Sequence, residues 1–146
     1  MPCFRWSETL KGFLKQSNAT HLLLITKHRG ETYFPKVNGF HGSGKLHGLG
    51  FFVDLITPLI IPETGKMGAG FLAPYAYITV SVVDAETASI VSQKSIKQTS
   101  VWSGAHTGAL NAWDGLTAAQ KLKALQDTVR DAVVSGLPGV LETQVR

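Results

Sequence analysis

Apolar positions along this chain recur with several periods, and each period predicts a different element. Trp6, Leu10, Phe13 and Leu14 fall at i, i+4, i+7 and i+8, which places them on one face of a helix. Lys11 and Lys15 lie off that face, and Ser7 stands where an N-cap belongs. The spacing predicts a helix over about residues 8–16, ended by Ser17-Asn18. His21-Leu-Leu-Leu-Ile-Thr26 follows, four apolar residues bounded by polar ones. Such a run predicts a strand buried on both faces.

The next stretch is irregular. Lys27-His-Arg-Gly30 reads as a turn, and Glu31–Val37 has strand composition demoted by Pro35 to an edge or irregular piece. Asn38–Gly50 holds Gly39, Gly42, Gly44, Gly48 and Gly50 and is expected to be a tightly turned loop. Phe51–Ile56 predicts a strand running on towards Ile61, and 63–70 a turn or loop. Tyr75–Val83 alternates with a clean period of two: Ala76, Ile78, Val80 and Val82 against Tyr75, Tyr77, Thr79 and Ser81. Asp84–Ala88 supplies a turn, and Ser89–Thr99 alternates again with both faces mixed. The pair predicts a hairpin whose second strand, Ser89–Thr99, lies at or near a sheet edge.

Residues 102–115 read as a long ordered loop. Thr117-Ala-Ala-Gln120 is a capping box, and Ala118, Leu122, Leu125, Val129, Ala132 and Val133 form one apolar stripe. Gly136 and Pro138 are expected to stop this last helix. There are no internal repeats. The element order predicts an α/β (α+β) domain spanning 1–146: a single mixed or antiparallel sheet of three to five strands with two main helices packed on it.

Composition narrows the class. At 146 residues with 44% hydrophobic and 16% charged side chains, the chain is neither disordered nor coiled-coil. No apolar run is long enough to span a membrane as a helix. The single Cys3 excludes an internal disulfide framework. The net charge of +4 sits entirely in residues 1–66, with eight basic and four acidic side chains. No run of five or six basic residues and no basic helix face accompanies it, which argues against nucleic-acid binding. The amino terminus lacks the apolar segment of a signal peptide and opens directly into a helix. We expect either a cytoplasmic protein or the body of an exported one lacking its amino-terminal strand and export signal.

One motif invites a nucleotide-binding assignment. Gly39-Phe-His-Gly-Ser-Gly44-Lys45 matches G-x-x-x-x-G-K, where backbone N–H groups cradle phosphate and lysine adds charge. The residue that should hold magnesium is Leu46, not Ser or Thr, and the following sequence is glycine-rich and then β-favouring rather than helical. A phosphate-hydrolysing loop is therefore rejected. A non-catalytic anion site built from Gly42, Ser43, Gly44 and Lys45 stays open as an alternative within the glycine-rich loop 39–50.

No other pattern converges on chemistry. His21, His28, His41 and His47 match no metal-ligand spacing and read as surface histidines. Cys3 sits at an expected frayed terminus, and Gly42-Ser43-Gly44 is not a nucleophile elbow. Asp84 and Glu86 suit a hairpin turn, whereas Asp54 interrupts an apolar strand and is expected to face outward. Trp102, His106, Trp113 and Asp114 share one loop that can line a binding cleft, with Tyr75 and Tyr77 on a common strand face able to join them. Equally, the tryptophans can lid the core.

Asn18-Ala-Thr-His-Leu-Leu-Leu-Ile-Thr after a helix, then Tyr77-Ile-Thr-Val-Ser-Val-Val-Asp-Ala-Glu-Thr-Ala-Ser-Ile-Val and a capped final helix, resembles a pattern in proteobacterial envelope proteins. These are lipoprotein-like proteins with a curli-secretion-like or TolB amino-terminal-like α/β domain. The resemblance implies a binding or assembly role at the bacterial envelope, or periplasm, with contacts through sheet edges or loops, and it brings no catalytic residues. The expected function is thus a non-enzymatic module with a protein partner and no cofactor, binding through Trp102, His106, Trp113, Tyr75 and Tyr77. Anion or nucleotide binding is the alternative, and a small hydrolase using His106 with Asp114 or Asp54 the third reading. The edge strand at 89–99 makes a homo-oligomer by sheet extension an expectation as well.

Overall fold

The computed structural model describes residues 8–31, 34, 44–60, 65, 67–103 and 112–142. Its elements are α1 (Glu8–Ser17), β1 (His21–Lys27), β2 (Arg29–Glu31), β3 (Lys45–Ile60), β4 (Met67–Asp84), β5 (Ile90–Thr99), β6 (Trp102–Ser103) and α2 (Ala118–Leu141). All ladders are antiparallel, and the sheet is curled into a half-barrel. This is an α+β fold in which strands dominate, and its curled sheet of four to five strands falls within the three to five expected from the sequence, with β2 in a short ladder of its own.

The long strand β4 organises everything else. On one side its first part pairs with β3 and its last part with β1; on the other it pairs with β6 and then β5. A strand flanked on both sides satisfies its main chain completely, so it can be buried throughout. From Gly70 to Val83 only Tyr75 and Thr79 are more than marginally exposed. Even-numbered β4 residues point to one face, which α2 covers. Ala76, Ile78, Val80 and Val82 meet Ile96 of β5 and Ala132 and Val140 of α2 there. Burying a valine of this kind contributes about 1.5–3 kcal/mol. Odd-numbered residues point to the opposite face, where Phe71 and Ala73 pack with Phe34, Phe52 and Leu46.

The glycine-rich stretch ends in a strand, not a loop. From Lys45 onward the chain is β3, and its glycines face aromatic side chains. Gly48 lies opposite Tyr77 and Gly50 opposite Tyr75. A Cβ on Gly50 would come within 2.9 Å of the Tyr75 hydroxyl. Bare backbone here lets the rings lie across the neighbouring strand. The segment read as a turn at 63–70 is likewise partly strand, since β4 begins at Met67. The β3–β4 ladder shifts register between Asp54 and Pro58. Asp54 closes this bulge: its Oδ1 accepts from the Ile56 and Thr57 N–H groups at 3.0 and 2.7 Å, and its Oδ2 from the Thr57 hydroxyl at 2.9 Å. Opposite, Gly70 has φ +78° and leaves no room for a Cβ against the Asp54 carbonyl. The odd carboxylate of the sequence is a bulge former.

The final helix begins as expected, with both halves of the Thr117–Gln120 capping box formed. It does not stop at Gly136. Gly136 is buried, and a Cβ there would meet Ile96 Cδ1 at 2.5 Å. The residue that reads as a terminator is instead the point of closest helix–sheet approach. Pro138 is tolerated one turn from the end, and Val140 beyond it is wholly buried. The other helix does not pack on a sheet face. Leu14 is its buried residue, and it shares a shallow cavity with Ala19, Ala85 and Glu86 at the end of the sheet. Of the two helices expected on the sheet, α2 alone covers it.

Candidate functional site

The two faces of β4 separate the residues expected to form one cleft. Trp102 lies opposite Leu72, an even position, and is 44% exposed on the α2 face. Trp113 is on that side as well, edge-on to Phe51 at 5.7 Å, with Lys121 Nζ 3.8 Å above its ring. Tyr75 and Tyr77 sit at odd positions on the opposite face, their rings 5.7 Å apart. The structure brings the tyrosines together and the tryptophans to a common face, but it does not join the pairs. His106 lies outside the described residues, as do Gly42, Ser43, Cys3 and His41. Gly44 is exposed, and Lys45 pairs with Glu31 across the β2–β3 ladder; strand, not helix, follows it. Among the described residues no group of three His, Cys, Asp or Glu side chains could hold a metal.

Around the tyrosines the chain builds a corner that the sequence does not announce. At His28 the strand begun as β1 changes partner. The His28 N–H donates to the Tyr77 carbonyl at 3.0 Å, while its own carbonyl accepts from Gly48 N–H at 3.1 Å. Beyond this point β2 pairs with the start of β3 in a separate ladder. This two-stranded ribbon folds over the tyrosine face. The Tyr77 hydroxyl donates to the Glu31 carbonyl at 3.2 Å, and Lys97 Nζ of β5 approaches the same oxygen at 3.4 Å. Gly30 is buried where a Cβ would come within 2.6 Å of Lys97 Cε and 3.0 Å of His28 Nε2. The His28 ring is stacked on Tyr77 with centroids 6.0 Å apart, and its buried Nε2 has no hydrogen-bond partner. His28 is therefore a packed histidine of the fold rather than a surface one. The corner is filled by its own side chains and serves to hold the ribbon down.

One exposed apolar stretch lies on the other side of that corner, along β1; another lies along β3, where Leu55 and Ile56 are exposed. The apolar run His21–Thr26 is not buried on both faces: Leu23 is 43% and Ile25 46% exposed, and Leu22 and Leu24 are half-buried. The reason is topological. β1 pairs with β4 alone, and α2 lies over β4 and β5, so no described element covers β1. The His28–Tyr77 bond, together with Ala85 N–H donating to the Thr20 carbonyl at 3.0 Å, sets which residues bond inward. In an antiparallel ladder these alternate. Leu22, Leu24, Thr26 and His28 direct their main-chain groups at β4, and His21, Leu23, Ile25 and Lys27 direct theirs away. Among the described residues the outward row has no ladder partner, and β1 carries apolar side chains on both faces.

Asp84 anchors the near end of this edge. It is the cross-strand partner of His21, and its Oδ1 accepts from the Thr87 N–H at 2.7 Å, the Thr87 hydroxyl at 2.9 Å and the Glu86 N–H at 2.9 Å. The Thr87 bonds, helped by Glu86 and the charge of His21, hold its carboxyl below the ordinary 3.8. Asp84 and Glu86 are thus parts of a turn, as their place in the hairpin suggested, not a catalytic pair.

The described residues form a curled antiparallel sheet with one helix-covered face, and β1 is one of its apolar strand edges. No protein-family model, curated protein or solved structure matches the chain.

Proposed function

We infer that this chain is a non-enzymatic binding or assembly module that takes an extended segment of a protein partner against the open edge of β1. Strand addition supplies affinity through main-chain hydrogen bonds, and the flanking side chains supply specificity. The observation that carries this function is the outward row His21, Leu23, Ile25 and Lys27, with Leu23 and Ile25 beside it exposed on the α2 side. Folded proteins ordinarily guard such an edge with lysine, proline or a bulge. β1 carries a single lysine, Lys27 at its end, and neither proline nor bulge. The partial resemblance to envelope assembly domains supports the same role and an envelope setting. The anion-binding alternative rests on Gly42 and Ser43, which lie outside the described residues, and on Lys45 at the start of β3.

Leu23 and Val91 are both 43% exposed, one on β1 and the other on β5. A photo-crosslinking residue placed at each position in turn, in the cells that make the protein, tests the assignment at matched accessibility. Adducts at 23 and none at 91 are expected. Adducts at 91 alone, or at neither position, would show that β1 is not the binding edge.

A further inference from the structure

Resting on that assignment, we propose that the strand received by β1 is the β1 of a second copy of the chain, related by a two-fold axis through Leu24. The register of β1 is self-complementary. A two-fold axis perpendicular to a sheet pairs residues whose numbers have a constant sum, and both members must carry outward main-chain groups. Centred on Leu24, His21 meets the partner's Lys27 and Leu23 meets the partner's Ile25, and each reciprocally. Every outward residue of β1 then finds an outward residue, giving about eight main-chain hydrogen bonds. Centring on Leu23 or Ile25 instead leaves part of the row unmatched.

Side chains agree with this register on both faces. On the α2 face, Leu23 and Ile25 of one copy lie beside the partner's Ile25 and Leu23, covering the side chains left 43% and 46% exposed in the single chain. On the other face, Leu24 meets the partner's Leu24 and Leu22 meets the partner's Thr26. Cross-strand apolar pairs of this kind stabilise sheets. Lys27, whose side chain lies against Gly48 of its own chain, falls opposite the partner's His21, at the two ends of the paired row. α1 leaves the edge open, because it sits at the end of the sheet beside Ala85 and Glu86. The occupied sheet would then run without interruption from β5 of one copy to β5 of the other.

Leu24 is hydrogen-bonded toward β4, so toward a second copy it is a non-hydrogen-bonded position. Its Cα would lie about 4.5 Å from its counterpart, within disulfide range. Leu22 would be about 14 Å from the partner's Leu22, far outside it. The test uses the full chain with Cys3→Ser. On mild oxidation Leu24→Cys should form a covalent dimer of twice 15.7 kDa, and Leu22→Cys should not. Sedimentation velocity from about 1 to about 200 μM should show a concentration-dependent dimer.

Ile25→Pro removes an outward N–H without touching the β4 ladder and should weaken that dimer at least about tenfold. Leu23→Lys, at an exposed position, does the same by charge should the proline variant fail to fold. A chain monomeric throughout the range, or equal crosslinking at 22 and 24, would overturn the two-fold pairing. In that event a Leu23 adduct whose mass is not twice that of the chain leaves β1 as the binding edge for another protein, whereas no adduct removes both assignments.

Discussion

β1 and β5 flank the same buried strand, yet they are built for opposite fates. β5 reads Ile-Val-Ser-Gln-Lys-Ser-Ile-Lys-Gln-Thr: one core side chain, Ile96, set among polar residues. Lys94 lies beside Gly139 of α2 and Lys97 folds across Tyr77 and the ribbon, so helix and lysines together shield that side. β1 reads His-Leu-Leu-Leu-Ile-Thr-Lys, with a lysine only at its end and no described helix over it. The difference teaches that the bare edge is not a consequence of a small fold with too few elements. Of the two helices, α2 lies over β4 and the polar strand β5, and neither covers the apolar strand β1 among the described residues.

Variants can break this contrast, and the largest effect lies on the covered side. Gly136→Val puts two methyl groups where a Cβ alone would sit 2.5 Å from Ile96 Cδ1. It should lift α2 off β5 and cost about 1–3 kcal/mol or more, read as a lowered urea midpoint. A shift under about 0.5 kcal/mol would mean that α2 does not depend on this approach.

At the corner between the two regions, His28→Phe keeps the stacking on Tyr77 and removes the unpartnered buried nitrogen. Stability should rise by up to about 1 kcal/mol, seen as a higher melting temperature. A fall would show that the imidazole nitrogen is engaged.

A smaller, pH-dependent effect belongs to Asp84. Because the folded state lowers its proton affinity, its contribution is fully present above the ordinary 3.8 and is lost as pH falls through the lowered value. Protection of the 84–89 amides against hydrogen exchange, taken relative to the intrinsic rate at each pH, should fall on that acid side in the parent protein. In Asp84→Asn it should already be low at neutral pH. Unchanged exchange in the variant would assign the turn's stability elsewhere.

The smallest effect on the fold is expected from Leu23→Lys, within about 0.5 kcal/mol by denaturant titration, although it should abolish strand addition. A loss of several kcal/mol would place Leu23 in the core and remove the contrast between the edges.

Local signals in the sequence were reliable where a single residue pattern sufficed. The Thr117–Gln120 box starts a helix by satisfying its own free N–H groups, and no distant contact is needed. The Asp84–Ala88 turn is similar, since Asp84 bonds its own neighbours. The alternation from Tyr75 to Val83 was legible because the two faces of β4 meet different surroundings. The candidate site was less so. Tyr75 and Tyr77 were correctly paired, but Trp102 and Trp113 belong to the other face, a matter of register between strands. His28 gave no signal, because a histidine between Lys27 and Arg29 looks solvated until the strand is seen to change partners there.

Amino-acid order alone settled the main alternations, the capping of α2 and the hairpin, all properties of contacts within a few residues. Tertiary structure decided the rest. Leu22-Leu-Leu-Ile25 is the same apolar run whether a strand has neighbours on both sides or on one, and only the pairing of β3 and β1 with successive parts of β4 leaves it at an edge. Gly136 likewise reads as a stop until a sheet presses against it, and Gly50 reads as loop until the Tyr75 ring covers it. A glycine records that space is needed without recording what fills it. An apolar strand records that water must be excluded without recording by which molecule.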